Sequence, residues 1–292
     1  MSGFSADWLR QRAPFDRAAR DSALALRFAA ALASGGSGER RIIDLAAGSG
    51  ANFRVLAPLL QGDQDWLLVD HDPALLEAQS AEIACWSLRE GWHCESFAAG
   101  VAVRAGTATW RAQARPLDLS RGLAPLDFSG CDAVTTTAFL DLVSGAWVES
   151  LCTLLAGARR PFLAALTVDG RREWLPGHAS DALIATAFAQ HQSRDKGFGA
   201  ALGPRATGAV ADRLAAAGYR VTTARSDWQL GPPHAAMLLR MAEESAEVAR
   251  AANPAAAARV DAWLAQRRAQ IRAGALSLVI GHQDLLALPP AA

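Results

Sequence analysis

The sequence predicts an α/β fold, a mostly parallel β-sheet wound on both faces by helices. Three observations carry that reading. From residue 41 onward, short apolar runs alternate with longer segments whose apolar positions recur at helical spacing. The first run, in "RIIDLAAGSGANF" at 41–53, leads straight into a glycine turn that opens a helix. The next run, "DWLLVDHD", ends in acids and hands over to a helix with Asp72 as N-cap and Pro73 at its first position.

Residues 14–33, "PFDRAARDSALALRFAAALA", form a helix by apolar spacing, with Pro14 suited to its first turn. "SGGSGER" at 34–40 reads as a flexible break. After the first strand and its turn, a helix is expected from about Asn52 to Leu60. The second strand and the helix "PALLEAQSAEIACWSLREG" follow. Within 93–118, "TATWRAQARPLDLS" contains a third strand that "LDLS" ends. "CDAVTTTAFLDLV" is a fourth strand and its exit, and "GAWVESLCTLLAG" is a helix closed by Gly157. "RPFLAALTVDG" is a fifth strand, and "GPRATGAVADRLAAAGYRVTTARSDW" is a helix, a stop at Gly218 and a sixth strand. A helical pair at 235–273, broken at Asn253-Pro254, precedes the last strand, "GALSLVIGHQDLLALP". Residues 169–205 read as one long loop beyond the carboxyl ends of the strands, where long loops serve function. It carries His178, His191, Arg194, Asp195 and Lys196.

Composition narrows the function. The chain has 292 residues, 51% of them hydrophobic, and its 29 basic and 29 acidic side chains cancel. No global field draws it to nucleic acid or to an anionic membrane, so neither is an expected partner. Lys196 is the only lysine. Cys85, Cys94, Cys131 and Cys152 show no CxxC or zinc-type spacing, so buried free thiols and no metal are expected. The charged N-terminus lacks the apolar core of a signal peptide, and no run reaches the roughly 20 apolar residues of a membrane span. The expected location is the cytoplasm.

The glycine turn follows a strand and opens a helix, the arrangement that receives a charged or polar ligand. Asp70, ending the second strand, is placed to accept hydrogen bonds from a ribose diol, so an adenosine-containing ligand leads. Two rivals use the same turn. An NAD(P)-type oxidoreductase wants a third glycine, and here Phe53 occupies that place. A non-catalytic protein that binds the adenosyl ligand or a partner is the other. No Gly-Lys-Ser/Thr follows, so no lysine holds phosphates as in a P-loop.

"IIDLAAGSGAN" resembles the first motif of class I S-adenosylmethionine-dependent methyltransferases, and "LLVDHDPALLEAQ" resembles their second. "LDLS" and "CDAVTTTAFLDLV" are similar to the third and fourth, so the resemblance covers about residues 12 to 168. One departure is Ala46-Ala47, where many members have glycine or cysteine. The resemblance implies a Rossmann-like, doubly wound sheet of seven strands with the last antiparallel. It implies one methyltransferase domain over 1–292. Its parts are an N-terminal helical cap (1–40), a cofactor core (41–168), an acceptor-side loop, helix and strand (169–234), a helical insertion (235–273) and a last strand and tail (274–292). It also implies S-adenosyl-L-methionine as cofactor. Asp44 would orient the turn and approach the ligand's amino group, and the backbone at Ala46, Gly48 and Gly50 would pass under the amino-acid part and ribose. Asp70 would take the ribose hydroxyls, His71 would lie against adenosine, Asp118 would accept from the adenine amino group and Leu119 would pack on the ring. Thr137 and Ala138 would line the floor toward the methyl group. Arg17 or Arg20, in a segment similar to the cap of some members, would meet the ligand carboxylate.

Methyl transfer needs alignment, and a base only where the acceptor atom carries a proton. The candidate catalytic residues are Asp141, after the fourth strand, and His191, with Asp195 as its orienter. Lys196 or Arg194 would suit an anionic acceptor, and His178, His234 and Phe139 are further candidates for contact with it. The fourth strand exits as "TTAF", not as an NPPY-like tetrapeptide that holds a planar amino group. A small-molecule methyl acceptor, modified at oxygen, nitrogen or carbon, is therefore expected, with 235–273 as part of a lid.

Overall fold

The computed structural model describes residues 5–33 and 38–290. Residues 34–37, the heart of the expected break, lie outside the described residues. Two helices come first, α1 (Ala6–Ala19) and α2 (Ser22–Ala33). Ser5 caps α1 by accepting from Trp8 N at 3.1 Å, so this helix starts before Pro14 and carries it in its interior. The chain breaks at Arg20, where ψ is 141°, and Asp21 restarts it by accepting from Leu24 N. The single helix expected from Pro14 is thus two helices.

The core follows as β1 (Arg40–Leu45), α3 (Ala51–Leu56), β2 (Gln64–Asp70) and α4 (Pro73–Arg89). Next come β3 (His93–Phe97), β4 (Gly100–Ala105), β5 (Ala108–Pro116), β6 (Ala133–Thr137) and α5 (Gly145–Ala158). Helix α5 runs through Gly157, and Arg159 ends it in a left-handed conformation. Then follow β7 (Phe162–Leu175), α6 (Asp181–Gln192), α7 (Ala206–Ala216), β8 (Arg220–Arg225) and β9 (Trp228–Leu230). The chain closes with α8 (Ala235–Ala252), α9 (Ala257–Arg272) and β10 (Ser277–Leu288). The expected long loop at 169–205 is therefore mostly regular, since β7 and α6 occupy much of it.

One sheet holds the strands in the order β3-β4-β5-β2-β1-β6-β7-β10-β8, with β9 beside β10. The seven strands from β5 to β8 match the expected sheet, parallel from β5 to β7 and with β10 antiparallel to both its neighbours. The correction is in number, because an antiparallel β3–β4 hairpin widens one edge and β9 adds a short strand. Alternation along β1 explains the layers. Ile43 and Leu45 face a core shared with α5 and α7, while Ile42 faces one shared with α2, α3 and α4.

Strand β6 stops at Thr137, opposite Ala165, but β7 continues to Leu175 with β10 alone at its side. This ribbon, with β9, projects past the carboxyl edge of the sheet and carries a third core. There Trp174, Trp228 and Leu278 pack against Ile184 of α6, Met237, Leu238 and Met241 of α8 and Trp263 of α9. The 235–273 insertion is thus a packed wall beside the crevice. Among the described residues no helix is long and apolar enough to cross a membrane. All four cysteines are free, and Cys85 is exposed where a buried thiol was expected.

Candidate functional site

The glycine turn lies at the carboxyl end of β1, with Asp70 ending β2 on one side and Thr137 ending β6 on the other. Its backbone folds tightly: Ala46, Gly48 and Gly50 all take left-handed φ, at 53°, 54° and 78°. A Cβ at Gly48 would stand 3.1 Å from the Leu9 side chain of α1, so α1 lies over the turn, and the left-handed φ there favours glycine. Phe53, at the place of a third glycine, is fully buried and meets Trp66 and Trp86 edge-on at 5.5 and 5.9 Å. The space a dinucleotide fingerprint leaves for close helix–strand packing is filled by this ring.

A polar chain crosses the floor from β1 to β6. Asn52 Nδ2 and Thr135 Oγ1 both donate to Asp44 Oδ1 at 2.8 Å. Arg20 donates from Nη1 to Asn52 Oδ1 at 2.7 Å and from Nη2 to Thr137 Oγ1 at 3.0 Å. Gln79, from α4, donates to the Gly48 carbonyl at 2.7 Å. Three buried polar atoms around this turn have no hydrogen-bond partner among the described residues: Asp44 Oδ2, Gln79 Oε1 and Arg20 Nε. Burial pushes the Asp44 carboxyl up to about 6, against the pull of Asn52, Thr135 and Arg20. Burial also lowers Arg20, which Asp284, Asp16 and Asp44 partly offset.

Asp70 is buried, and both of its oxygens are occupied. Oδ2 accepts from Gly48 N at 2.8 Å, while Oδ1 accepts from His71 N at 2.8 Å and Asp72 N at 3.0 Å. The expected free carboxylate for a sugar is a clasp on the turn, with at most one acceptor site to spare. His71 is exposed beside it. Asp118 caps a short turn, accepting from the nitrogen and hydroxyl of Ser120 and pairing with Arg121 at 3.3 Å. The Ser120 hydroxyl leads in holding its carboxyl below the usual range. Leu119 lies beneath, buried in the α5 core, rather than on a ring-binding surface. Ala138 takes a left-handed φ of 50° as the chain leaves β6. Arg17 sits on the exposed face of α1, so of the two candidate arginines the fold brings only Arg20 to the crevice floor.

On the far side of that floor, Asp141 occupies a helical turn after β6. It is buried, its Oδ1 has no partner, and burial pushes it up to about 6 while Arg12 and Lys196 pull the other way. His191 ends α6 with its Nε2 3.4 Å from Lys196 Nζ. Asp195 does not orient it, because Oδ1 of Asp195 accepts from Gly197 N and Gly199 N instead. His178 and His234 serve turns, each accepting a backbone N–H at Nδ1.

Several residues of this wall escape sequence reasoning. Arg12 and Asp16 pair along α1 at 2.8 Å, Trp228 donates to Asp16 at 3.0 Å, and the Arg12 guanidinium stands 5.2 Å from the Trp228 ring. His282 of β10 lies against that ring at 5.7 Å. The i, i+4 spacing of Arg12 and Asp16 is the one local signal; their partners come from the other end of the chain. Among the described residues, no group of three or more potential metal ligands occurs.

No family model and no curated protein matches the chain. Among solved structures it is similar to a SAM-dependent methyltransferase from Geobacter sulfurreducens in complex with S-adenosyl-L-homocysteine. That pair has 14% identity and a TM-score of 0.47, covering 99% of this chain and 100% of the other. A SAM-dependent methyltransferase from Thiobacillus denitrificans, also in complex with S-adenosyl-L-homocysteine, has 14% identity and a TM-score of 0.42 over 98% of each chain. The cyclopropane synthase MmaA2 from Mycobacterium tuberculosis has 13% identity and a TM-score of 0.39, covering 89% of this chain and 82% of that one.

Proposed function

We propose that the chain is an S-adenosyl-L-methionine-dependent methyltransferase acting on a small molecule. The observation that carries this reading is the set of orphaned polar atoms around the glycine turn. Two of them, Asp44 Oδ2 and Gln79 Oε1, accept, and one, Arg20 Nε, donates from a cation. An amino acid's ammonium and carboxylate match that set, whereas a pyrophosphate offers nothing to Asp44. The motif resemblance of residues 42–52 and 67–79 supports the same ligand, and Phe53 counts against a dinucleotide. When bound, the cofactor supplies an already activated methyl group.

The chain's own residues then have the following work. Arg20 and Asp44 hold the amino-acid end at its two charges, and Gly48 lets the backbone lie close beneath it. Thr137 and Ala138 line the floor between that end and the acceptor. Asp141, poised near neutrality by burial, takes a proton at Oδ1 from an acceptor hydroxyl or ammonium. His191, near the end of α6, and Lys196, in the loop that follows it, face the acceptor. Zero net charge favours a small acceptor over nucleic acid.

Calorimetry with S-adenosylhomocysteine and, separately, with NADH tests the reading. Binding of the first is expected, weakened by about 1–3 kcal/mol in Arg20→Met and in Asp44→Asn, as for lost buried charge-assisted bonds. Binding of NADH alone would overturn it.

A further inference from the structure

The chain uses arginine for every cationic side chain but one. The exception, Lys196, is half-buried, and its loop is fixed to the exit of β6. Phe198 packs edge-on against Phe139 at 5.3 Å and Trp147 at 6.0 Å, and Asp195 ties the loop's own backbone through Gly197 and Gly199. Phe139 directly follows Thr137 and Ala138, so the loop sets Lys196 on the acceptor side of the crevice floor.

Basic groups gather around Lys196. Its Nζ is 3.4 Å from His191 Nε2. An ammonium only donates, so His191 accepts at Nε2 and is neutral. The His191 ring lies 6.3 Å from Phe188, over which Arg172 is stacked at 4.2 Å. Arg172 Nε is buried without a partner, and Nη2 reaches only the Met241 carbonyl and sulfur. Among the described residues, no carboxylate stands within ion-pairing distance of Arg172, Arg194 or Lys196. Burial and the neighbouring Arg194 lower the Lys196 ammonium, and burial with Lys196 and Arg194 lowers His191. Asp141 is the acid whose field reaches Lys196, and it is itself buried on the floor side.

We infer that Lys196 and His191 form an anion-binding subsite for the acidic group, carboxylate or phosphate, of the methyl acceptor. The term acceptor rests on the methyltransferase reading; the anion does not. A compact ammonium takes an oxygen end-on from any direction, where a guanidinium demands a planar partner. That difference accounts for a lysine here in a chain that otherwise uses arginine.

The single lysine makes the test direct. Protein labelled with lysine carrying 13C at Cε gives one side-chain resonance, followed while inorganic phosphate, succinate and sodium chloride are added separately at matched ionic strength. A saturable shift in the millimolar range with phosphate or succinate, and none with chloride, is expected. Phosphate alone would identify a phosphomonoester acceptor, and succinate alone a carboxylic acid. No shift with either, or an equal shift with chloride, would overturn the inference. In His191→Asn the same resonance is expected to report affinity lowered by about tenfold, the loss of a charge-assisted bond. Unchanged affinity there would remove His191 and with it the paired subsite. Calorimetry with S-adenosylhomocysteine on the same sample separates the two readings. A shift without cofactor binding defeats the methyltransferase reading, and cofactor binding without a shift defeats this one.

Discussion

Ala46 holds a conformation that an L-residue adopts at a cost of roughly 1–2 kcal/mol, against about 0.5–1 kcal/mol of extra chain entropy for glycine. Ala46→Gly is therefore expected to leave stability unchanged or raise it by up to about 1.5 kcal/mol, read by urea unfolding. His282 gives a second test. Its proton sits on Nδ1, facing the Ile280 carbonyl at 3.1 Å, and burial lowers it to about 4. Between pH 4 and the usual histidine value the unfolded chain binds the extra proton, so this group adds stability as pH rises through that window. Asp44 and Asp141, raised to about 6, act in the opposite sense, because the folded chain holds their protons longer. His282→Gln removes only the first effect. Its deficit against the parent chain is expected to grow by roughly 1–3 kcal/mol from pH 4 to 6.5. A deficit independent of pH would show that His282 titrates normally. At this scale Asp44, Gly48, Thr137 and Arg20 were legible because a local motif or helix names them. Trp228 and His282 were not, since Asp16 and Trp228 meet across 212 positions of sequence.

Helix α1 has 14 residues and none of them is buried. Its ties are polar or aromatic: Arg12 and Asp16 with Trp228, Arg20 with Asn52 and Thr137, and Arg240 with Gln11 and the Trp8 ring. By contrast, α2 buries Leu24, Phe28 and Leu32. An element held this way opens at low free energy. S-adenosylhomocysteine is expected to slow amide exchange across α1 while leaving α2 unchanged, measured by mass spectrometry. Equal rates with and without it would show that α1 does not close over the ligand. The run 169–205 departs from its sequence pattern at this same scale. "DGRREWL" in the outer half of β7 has no alternating apolar face, and it becomes a strand only because β10 pairs with it. In α6 the many alanines hide a helical stripe whose buried members are only Ile184 and Ala187.

The parallel run of the central strands and the reversed last strand were legible, since alternating strands and helices leave few topologies. The β3–β4 hairpin and the outer ribbon were not, because their pairing is antiparallel and lies outside that alternation. Strands β7 and β10 run from the central sheet into the wall built by α6, α8 and α9, so the two cores share the longest strands. Core and wall are expected to unfold in one transition. Tryptophan fluorescence, with Trp174 and Trp263 in the wall and Trp66 and Trp110 in the core, should coincide with far-ultraviolet circular dichroism. Two separated midpoints would make them independent units. Asp70 bears on how variants of this molecule can be read. One carboxylate latches the first strand-to-helix junction to the second, gripping Gly48 with one oxygen and the amides ahead of α4 with the other. Trimming it would slacken two corners at once, before any visiting sugar missed it. A weakened grip on a nucleoside in that variant would measure the hinge pin as much as the handshake.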